Sequence, residues 1–142
     1  MKLSKRIFAW VLAGAMMMGV AATVTAQSYR SSSGSYMGKV ESDGTIRNSS
    51  NSYVGKIERD GTIRNSSNSY VGKIESDGTI RNRSNSYMGK VYSDGTVRNS
   101  SNSYIGKIES DGTVRDASNR NVGSARGIDR KYAAVIFFFD LL

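Results

Sequence analysis

The chain has 142 residues, with 20 Lys and Arg against 12 Asp and Glu, and no His, Cys or Pro. That length suits one domain of ordinary size. The missing Cys and His exclude a disulfide-stapled fold, a thiol nucleophile, the usual imidazole base and the common zinc ligands.

The first segment is not part of that domain. Lys2, Lys5 and Arg6 form a basic head, Ile7 to Ala22 form an uncharged apolar run, and Val24 and Ala26 stand at the −3 and −1 positions of a cleavage site. This pattern predicts a signal peptide over 1–26 and a mature chain from Gln27. The apolar run falls short of the roughly 20 residues that a spanning helix needs, so no integral span is expected after cleavage. No Cys follows the run, which excludes a lipidated N-terminal cysteine. The expected location is the periplasm or the extracellular space.

Three of the basic residues lie in that leader, leaving 17 against 12 acids. The repeating unit described next is itself neutral: in its first copy Lys39 and Arg47 balance Glu41 and Asp43. The excess comes from departures such as Arg59, Arg83 and Tyr92, the last standing where other copies have Glu. Acids interleave with the bases, unlike a groove that tracks phosphates, so no nucleic-acid partner is expected.

From residue 27 the chain repeats itself. Tyr36, Tyr53, Tyr70, Tyr87 and Tyr104 are spaced 17 apart, and the same step links Gly38 to Gly106 and Asp43 to Asp111 without a phase break. Repetition this strict predicts one small unit packed against copies of itself. In the second copy "SYVGKIE" reads as one strand (52–58) and "TIRN" as another (62–65). Asp60-Gly61 between them predicts a two-residue type I′ turn, and "NSSN" a polar link to the next hairpin. Strict alternation puts Tyr53, Gly55 and Ile57 on one face and Val54, Lys56 and Glu58 on the other. The gap beside the glycine suits a tyrosine ring from an adjacent strand.

The ends hold half-units. Residues 28–30 match the second strand of a copy, and 121–126 match a first strand in which Asn121 replaces the tyrosine. Half-units at both ends predict a circular array closed by pairing of the first and last strands. After them, residues 132–142 contain "YAAVIFFF" and "DLL". So short an apolar run predicts a buried strand or short helix, packed at the axis of the array or across one face.

The order Tyr-x-Gly-x-[Ile/Val], Asp-Gly-Thr-[Ile/Val]-Arg-Asn, five times over and followed by an Ala-Ala-Val-Ile-Phe-Phe-Phe tail, resembles the five-fold β-flower proteins of bacteria. The resemblance covers residues 28–142 and implies hairpin petals about an axis with the tail packed among them. It implies no particular biochemical activity. The fold class expected is therefore all-β: five 17-residue hairpins in a radial, propeller-like closed array, in a single domain over 27–142.

For function, the repetition argues against catalysis. Near-identical copies give every carboxylate nearly the same surroundings, whereas an acid–base pair needs unlike ones. No catalytic residue, metal or cofactor is expected; one carboxylate per "SDGT" turn is too sparse for a calcium loop. The Asn-x-Ser triplets beginning at Asn48, Asn65, Asn82 and Asn99 match a glycosylation pattern but read as turn chemistry. Two repeated sets remain as candidate binding residues. Tyr36, Tyr53, Tyr70, Tyr87 and Tyr104 offer aromatic faces to a sugar, with packing as the plainer role. Lys39, Lys56, Lys73, Lys90 and Lys107 offer a ring of charge to an acidic polymer, with pairing to the repeated acids as the plainer role. The expectation is an exported structural or binding module for a glycan or envelope protein. The alternatives are a polysaccharide-acting enzyme and an adhesive or membrane-peripheral protein using the Phe-rich tail.

Overall fold

The structure, a computed structural model, describes residues 27–142; the leader expected at 1–26 lies outside the described residues. Twelve short strands follow in order: β1 (Gln27–Ser31), β2 (Tyr36–Val40), β3 (Thr45–Asn48), β4 (Tyr53–Ile57), β5 (Thr62–Asn65), β6 (Tyr70–Ile74), β7 (Thr79–Asn82), β8 (Tyr87–Val91), β9 (Thr96–Asn99), β10 (Tyr104–Ile108), β11 (Thr113–Asp116) and β12 (Asn121–Ser124). Among the described residues one helix, α1 (Arg130–Phe138), follows the strands. Each strand pairs antiparallel with its neighbours, and β1 pairs with β12, so the sheet is a closed barrel. The closing pairs Arg30↔Ser124 and Ser31↔Gly123 are the repeat equivalents of Arg47↔Lys39 and Asn48↔Gly38 inside a copy. The two half-units thus form a sixth hairpin beside the five continuous ones. The closed array expected from the sequence is one unbroken wall without a free edge.

The turns differ from the type I′ expectation. In the first copy the Gly44 N–H donates to the Glu41 carbonyl and the Glu41 N–H to the Thr45 carbonyl, and only Gly44 has a positive φ, at 91°. This is a three-residue loop, a type I turn followed by a glycine in the left-handed region. Asp43 is not a left-handed residue here; its Oδ1 accepts the Thr45 N–H at 2.9 Å. The opposite link has the same form with asparagine in place of glycine: the Asn51 N–H donates to the Asn48 carbonyl, and Asn51 sits at φ 66°. Asn48 Oδ1 accepts from the Ser50 and Ser52 N–H groups at 2.9 and 3.0 Å, so the Asn-x-Ser triplets are built into turns. One end of the barrel therefore carries the Asp-Gly loops and the other the Asn-Ser-Ser-Asn loops.

A bulge overturns the expected facing of the tyrosines. Between β3 and β4, Ile46 lies opposite Gly55 while Arg47 lies opposite Tyr53, so Val54 is the extra residue. The same shift recurs between successive hairpins. It leaves Gly55 and Ile57 inside, Lys56 partly exposed, and Tyr53 beside Arg47, while Val54 packs against the core. An inserted residue breaks the two-residue alternation on which the one-face assignment rested.

Inside, Ile46, Ile57, Ile63, Ile80 and Ile108 are fully buried, together with Val97 and Val114. Each contributes roughly 1.5–3 kcal/mol of transfer energy. The wall glycines meet the tail. A Cβ on Gly123 would lie 2.6 Å from the Phe137 ring, one on Gly106 2.5 Å from Phe138, one on Gly89 2.9 Å from Phe139, and one on Gly55 2.7 Å from Leu142. Only Gly38 is covered by a tyrosine from the neighbouring strand, Tyr29, whose hydroxyl donates to the Arg47 carbonyl at 3.2 Å. The sequence expectation of tyrosine cover thus holds at Gly38 alone; the C-terminal segment takes that place at Gly55, Gly89, Gly106 and Gly123, while a Cβ on Gly72 would meet the Arg81 and Asn82 backbone first. Tyr29 also meets Phe137 edge-on, with centroids 6.2 Å apart.

Helix α1 forms because Asp129 caps it, its side chain accepting the Lys131 N–H at 2.8 Å, and because good helix formers follow. Ala133, Ala134 and Val135 are buried, as expected for a helix enclosed by a wall. It packs closest to β10 and β8. It stops at Phe139, whose extended backbone (φ −120°, ψ 124°) carries the last residues along the wall.

Adding a methyl at Gly106 overlaps Phe138 and the Arg115 carbonyl. Gly106→Ala is expected to lower stability by about 1–3 kcal/mol in a denaturant titration. Phe138→Ala should cost less in that background than alone, and strictly additive losses would contradict the contact.

Candidate binding surface

The outer wall carries the repeated polar residues. Arg47, Arg64, Arg81 and Arg115 each place Nε 2.9–3.1 Å from the glutamate of their own hairpin, Glu41, Glu58, Glu75 and Glu109. Each of these arginines also donates through Nη1 to the carbonyl of the left-handed asparagine at 3.2–3.3 Å. The arginines therefore tie both ends of a hairpin, and exposed pairs of this kind are worth up to about 1 kcal/mol each. Arg98 makes the carbonyl contact at 3.1 Å but faces Tyr92 where the others face glutamate.

The candidate lysines stand across from those arginines, Lys39 opposite Arg47 and Lys56 opposite Arg64. Lys39 reaches Glu41 at 3.5 Å, Lys56 reaches Asp43 of the preceding hairpin at 3.9 Å, and Lys90 reaches Asp77 at 3.8 Å. Lys90 also lies 5.2 Å from the Tyr92 ring centroid. Lys73 and Lys107 sit in the same wall position, opposite Arg81 and Arg115. Three lysines thus pair with acids, Lys39 within its own hairpin and Lys56 and Lys90 with the preceding one, while Lys73 and Lys107 form no ion pair among the described residues.

The tyrosines are different. Tyr36, Tyr70, Tyr87 and Tyr104 are 38–40% exposed, and Tyr53 is half-buried. They project from the wall beside the arginine row, near the Asn-Ser-Ser-Asn loops, instead of converging on one cleft. The fold presents one on each of the five continuous hairpins, and Asn121 stands at that position in the sixth. Met37 and Val122 add exposed apolar surface near the seam.

The repeated aspartates are committed to backbone. Backbone and side-chain hydrogen bonds from Thr62 hold the Asp60 carboxyl below the ordinary aspartate value, and Asp43, Asp77, Asp94 and Asp111 are lowered by the equivalent threonines.

At the Asp-Gly end the barrel mouth surrounds the start of α1, and here lie residues that the repeat analysis did not single out as a site. A cleft of about 350 Å³ runs between Asp77, Tyr92 and Arg130. A second of about 240 Å³ runs between Arg59, Glu75 and Tyr132. Ser76, Asp129 and Lys131 line both. The sequence signal for this mouth was the pair of departures Arg59 and Tyr92, which reads first as surplus charge.

The geometry defines a class: a closed repeat barrel of short hairpins, plugged by its own C-terminal helix, with a polar wall and a helix-filled mouth. The family model described as "5-fold beta-flower protein" matches residues 26–140, and the chain belongs to that family. No curated protein and no solved structure matches the chain. Among the described residues no helix is long and apolar enough to cross a membrane.

The turn aspartates set a pH dependence. Their carboxyls are lowered on folding, so the stability they lend is fully present above the unfolded value and is lost as pH falls through the folded one. The melting temperature is expected to drop below about pH 4. Replacing Asp43, Asp60, Asp77, Asp94 and Asp111 by Asn should flatten part of that acid limb while leaving circular dichroism at pH 7 unchanged.

Proposed function

We propose that the protein is an exported, non-catalytic binding module of the cell envelope or extracellular space that engages a glycan or envelope protein through its tyrosine girdle. The observation that carries this reading is the set of exposed tyrosines, Tyr36, Tyr70, Tyr87 and Tyr104, at equivalent positions of a closed wall. Aromatic faces with a polar tip suit contact with sugars and with protein surfaces alike. Their spacing around a wall favours an extended or repeating partner that meets several weak contacts at once. Binding is favoured over hydrolysis of a polysaccharide by the uses of the carboxylates. The strand glutamates pair with arginines and the loop aspartates hold backbone N–H groups, in near-identical surroundings. Packing of Phe137, Phe138 and Phe139 against wall glycines commits the tail to the fold, which supports the wall over the tail as the contacting surface. Export rests on the leader expected over 1–26 from its basic head, its uncharged apolar run and the small residues Val24 and Ala26.

The test is a glycan array and an envelope-protein pull-down with the purified protein and its Tyr→Ser variants. Single substitutions at Tyr70, Tyr87 or Tyr104 are expected to weaken binding several-fold, and all three together far more than any one. Stability should stay within about 0.5 kcal/mol because these side chains are exposed. Retention of all binding by the triple variant, or release of new reducing ends from a bound polysaccharide, would overturn the reading.

A further inference from the structure

Five nearly identical hairpins and a sixth assembled from the half-units make a closely repetitive wall, yet the barrel mouth is not symmetric. Helix α1 brings Asp129, Arg130, Lys131 and Tyr132 to one part of it. The two departures from the repeat in the Asp-Gly loops, Arg59 and Tyr92, fall in that same part, one in each of the two clefts that share Ser76 and Lys131. The clefts therefore join as one shallow groove across three successive loops, with an arginine at one end, a tyrosine at the other and Lys131 between.

Its charges are unequally engaged. Glu58 and Glu75 pair with Arg64 and Arg81 at 3.0 and 2.9 Å, and Asp77 with Lys90 at 3.8 Å. Asp60 and Asp129 accept backbone N–H groups at 2.9 and 2.8 Å. Arg130 donates through Nη1 to the Ser93 carbonyl at 2.7 Å and stands between this groove and a neighbouring cleft lined by Asp94, Glu109 and Asp111. Among the described residues, Arg59, Arg130 and Lys131 form no ion pair, whereas the acids around them do or hold turns. Two aromatic residues, Tyr92 and Tyr132, line the groove beside these cations.

We propose that this groove is a binding site for an oligosaccharide carrying a single carboxylate, of the uronic-acid type. Unpaired guanidinium and ammonium groups supply charge-assisted hydrogen bonds to the carboxylate. The tyrosine faces receive the apolar faces of the sugar rings, and the serine hydroxyls and loop carbonyls meet the sugar hydroxyls. A chain with a charge on every unit is disfavoured, because Asp60 and Asp77 flank the groove. This deepens the reading of the protein as a binding module but uses the mouth, not the girdle.

The experiment is calorimetric titration of the purified protein with an oligosaccharide bearing one glucuronic acid. The control is the same oligosaccharide with that carboxylate reduced to a hydroxymethyl. Binding of the acid form at least tenfold tighter than the reduced form is expected. Arg59→Ser and Tyr92→Glu restore the residues of other copies and so preserve the fold; the double variant should bind the acid form at least tenfold more weakly with an unchanged melting temperature. Equal affinity for both oligosaccharides, undiminished binding by the double variant, or no binding at all would overturn the groove. The triple Tyr→Ser girdle variant separates the two readings. Loss of binding there with retention in the double variant would leave the girdle standing and remove the groove.

Discussion

The structure depends on a contact between residues that have almost no side chain and residues that have a great deal. The repeated strand glycine leaves space on the inner wall, and rings or branches from the C-terminal segment fill it at Gly55, Gly89 and Gly106 of Tyr-x-Gly and at Gly123 of the last half-unit. Strands of four or five residues bury too little to stand alone, and isolated hairpins are marginal in water. Here their inward isoleucines and valines face a helix instead of solvent. Wall and plug are mutually dependent: the barrel gives α1 a dry environment, and α1 gives the barrel a core.

Closure follows from the same economy of structure. A sheet left open would keep two unpaired strand edges. By opening on a second strand and closing on a first, the chain pairs β1 with β12 and satisfies both. Tyr29 then occupies the inward place that isoleucine or valine holds in the other hairpins, reaching across to Gly38 and Phe137 at the seam. The hairpin assembled from the two chain ends thus carries an extra aromatic contact.

Much of this was legible because repetition turns weak local signals into strong joint ones. Strand positions, the Asn-Ser-Ser-Asn turns, closure by half-units and burial of the tail all follow from spacing and residue type. The facing of the tyrosines did not, because a bulge is a backbone choice that alternation cannot register; Val54 is apolar on either reading. The loop was misjudged for a related reason. Asp-Gly suits a two-residue turn, but an aspartate that accepts the Thr45 N–H favours a three-residue loop with only the glycine left-handed. The tail's contact with the glycines was hidden because no sequence pattern links Phe138 to Gly106, 32 positions earlier.

Symmetry also decides where specificity can reside. A wall of equivalent hairpins offers the same weak contact many times, which suits avidity and gives little discrimination between partners. A site that tells one ligand from another needs unlike residues brought together, and the repeat cannot supply them alone. The helix is the one element of the described barrel without a symmetry mate, and its first turn enters the mouth at one place. Substitutions in the loops can then act in concert only where they meet that turn, because elsewhere they face copies of the same loop. Arg59 and Tyr92 lie on either side of Lys131 in this way, whereas Arg83, at the opposite end, lies beside Asp140 and Leu141. The polar wall and the asymmetric mouth therefore divide two tasks, adherence by number and recognition by difference, within a chain built largely from one repeated unit.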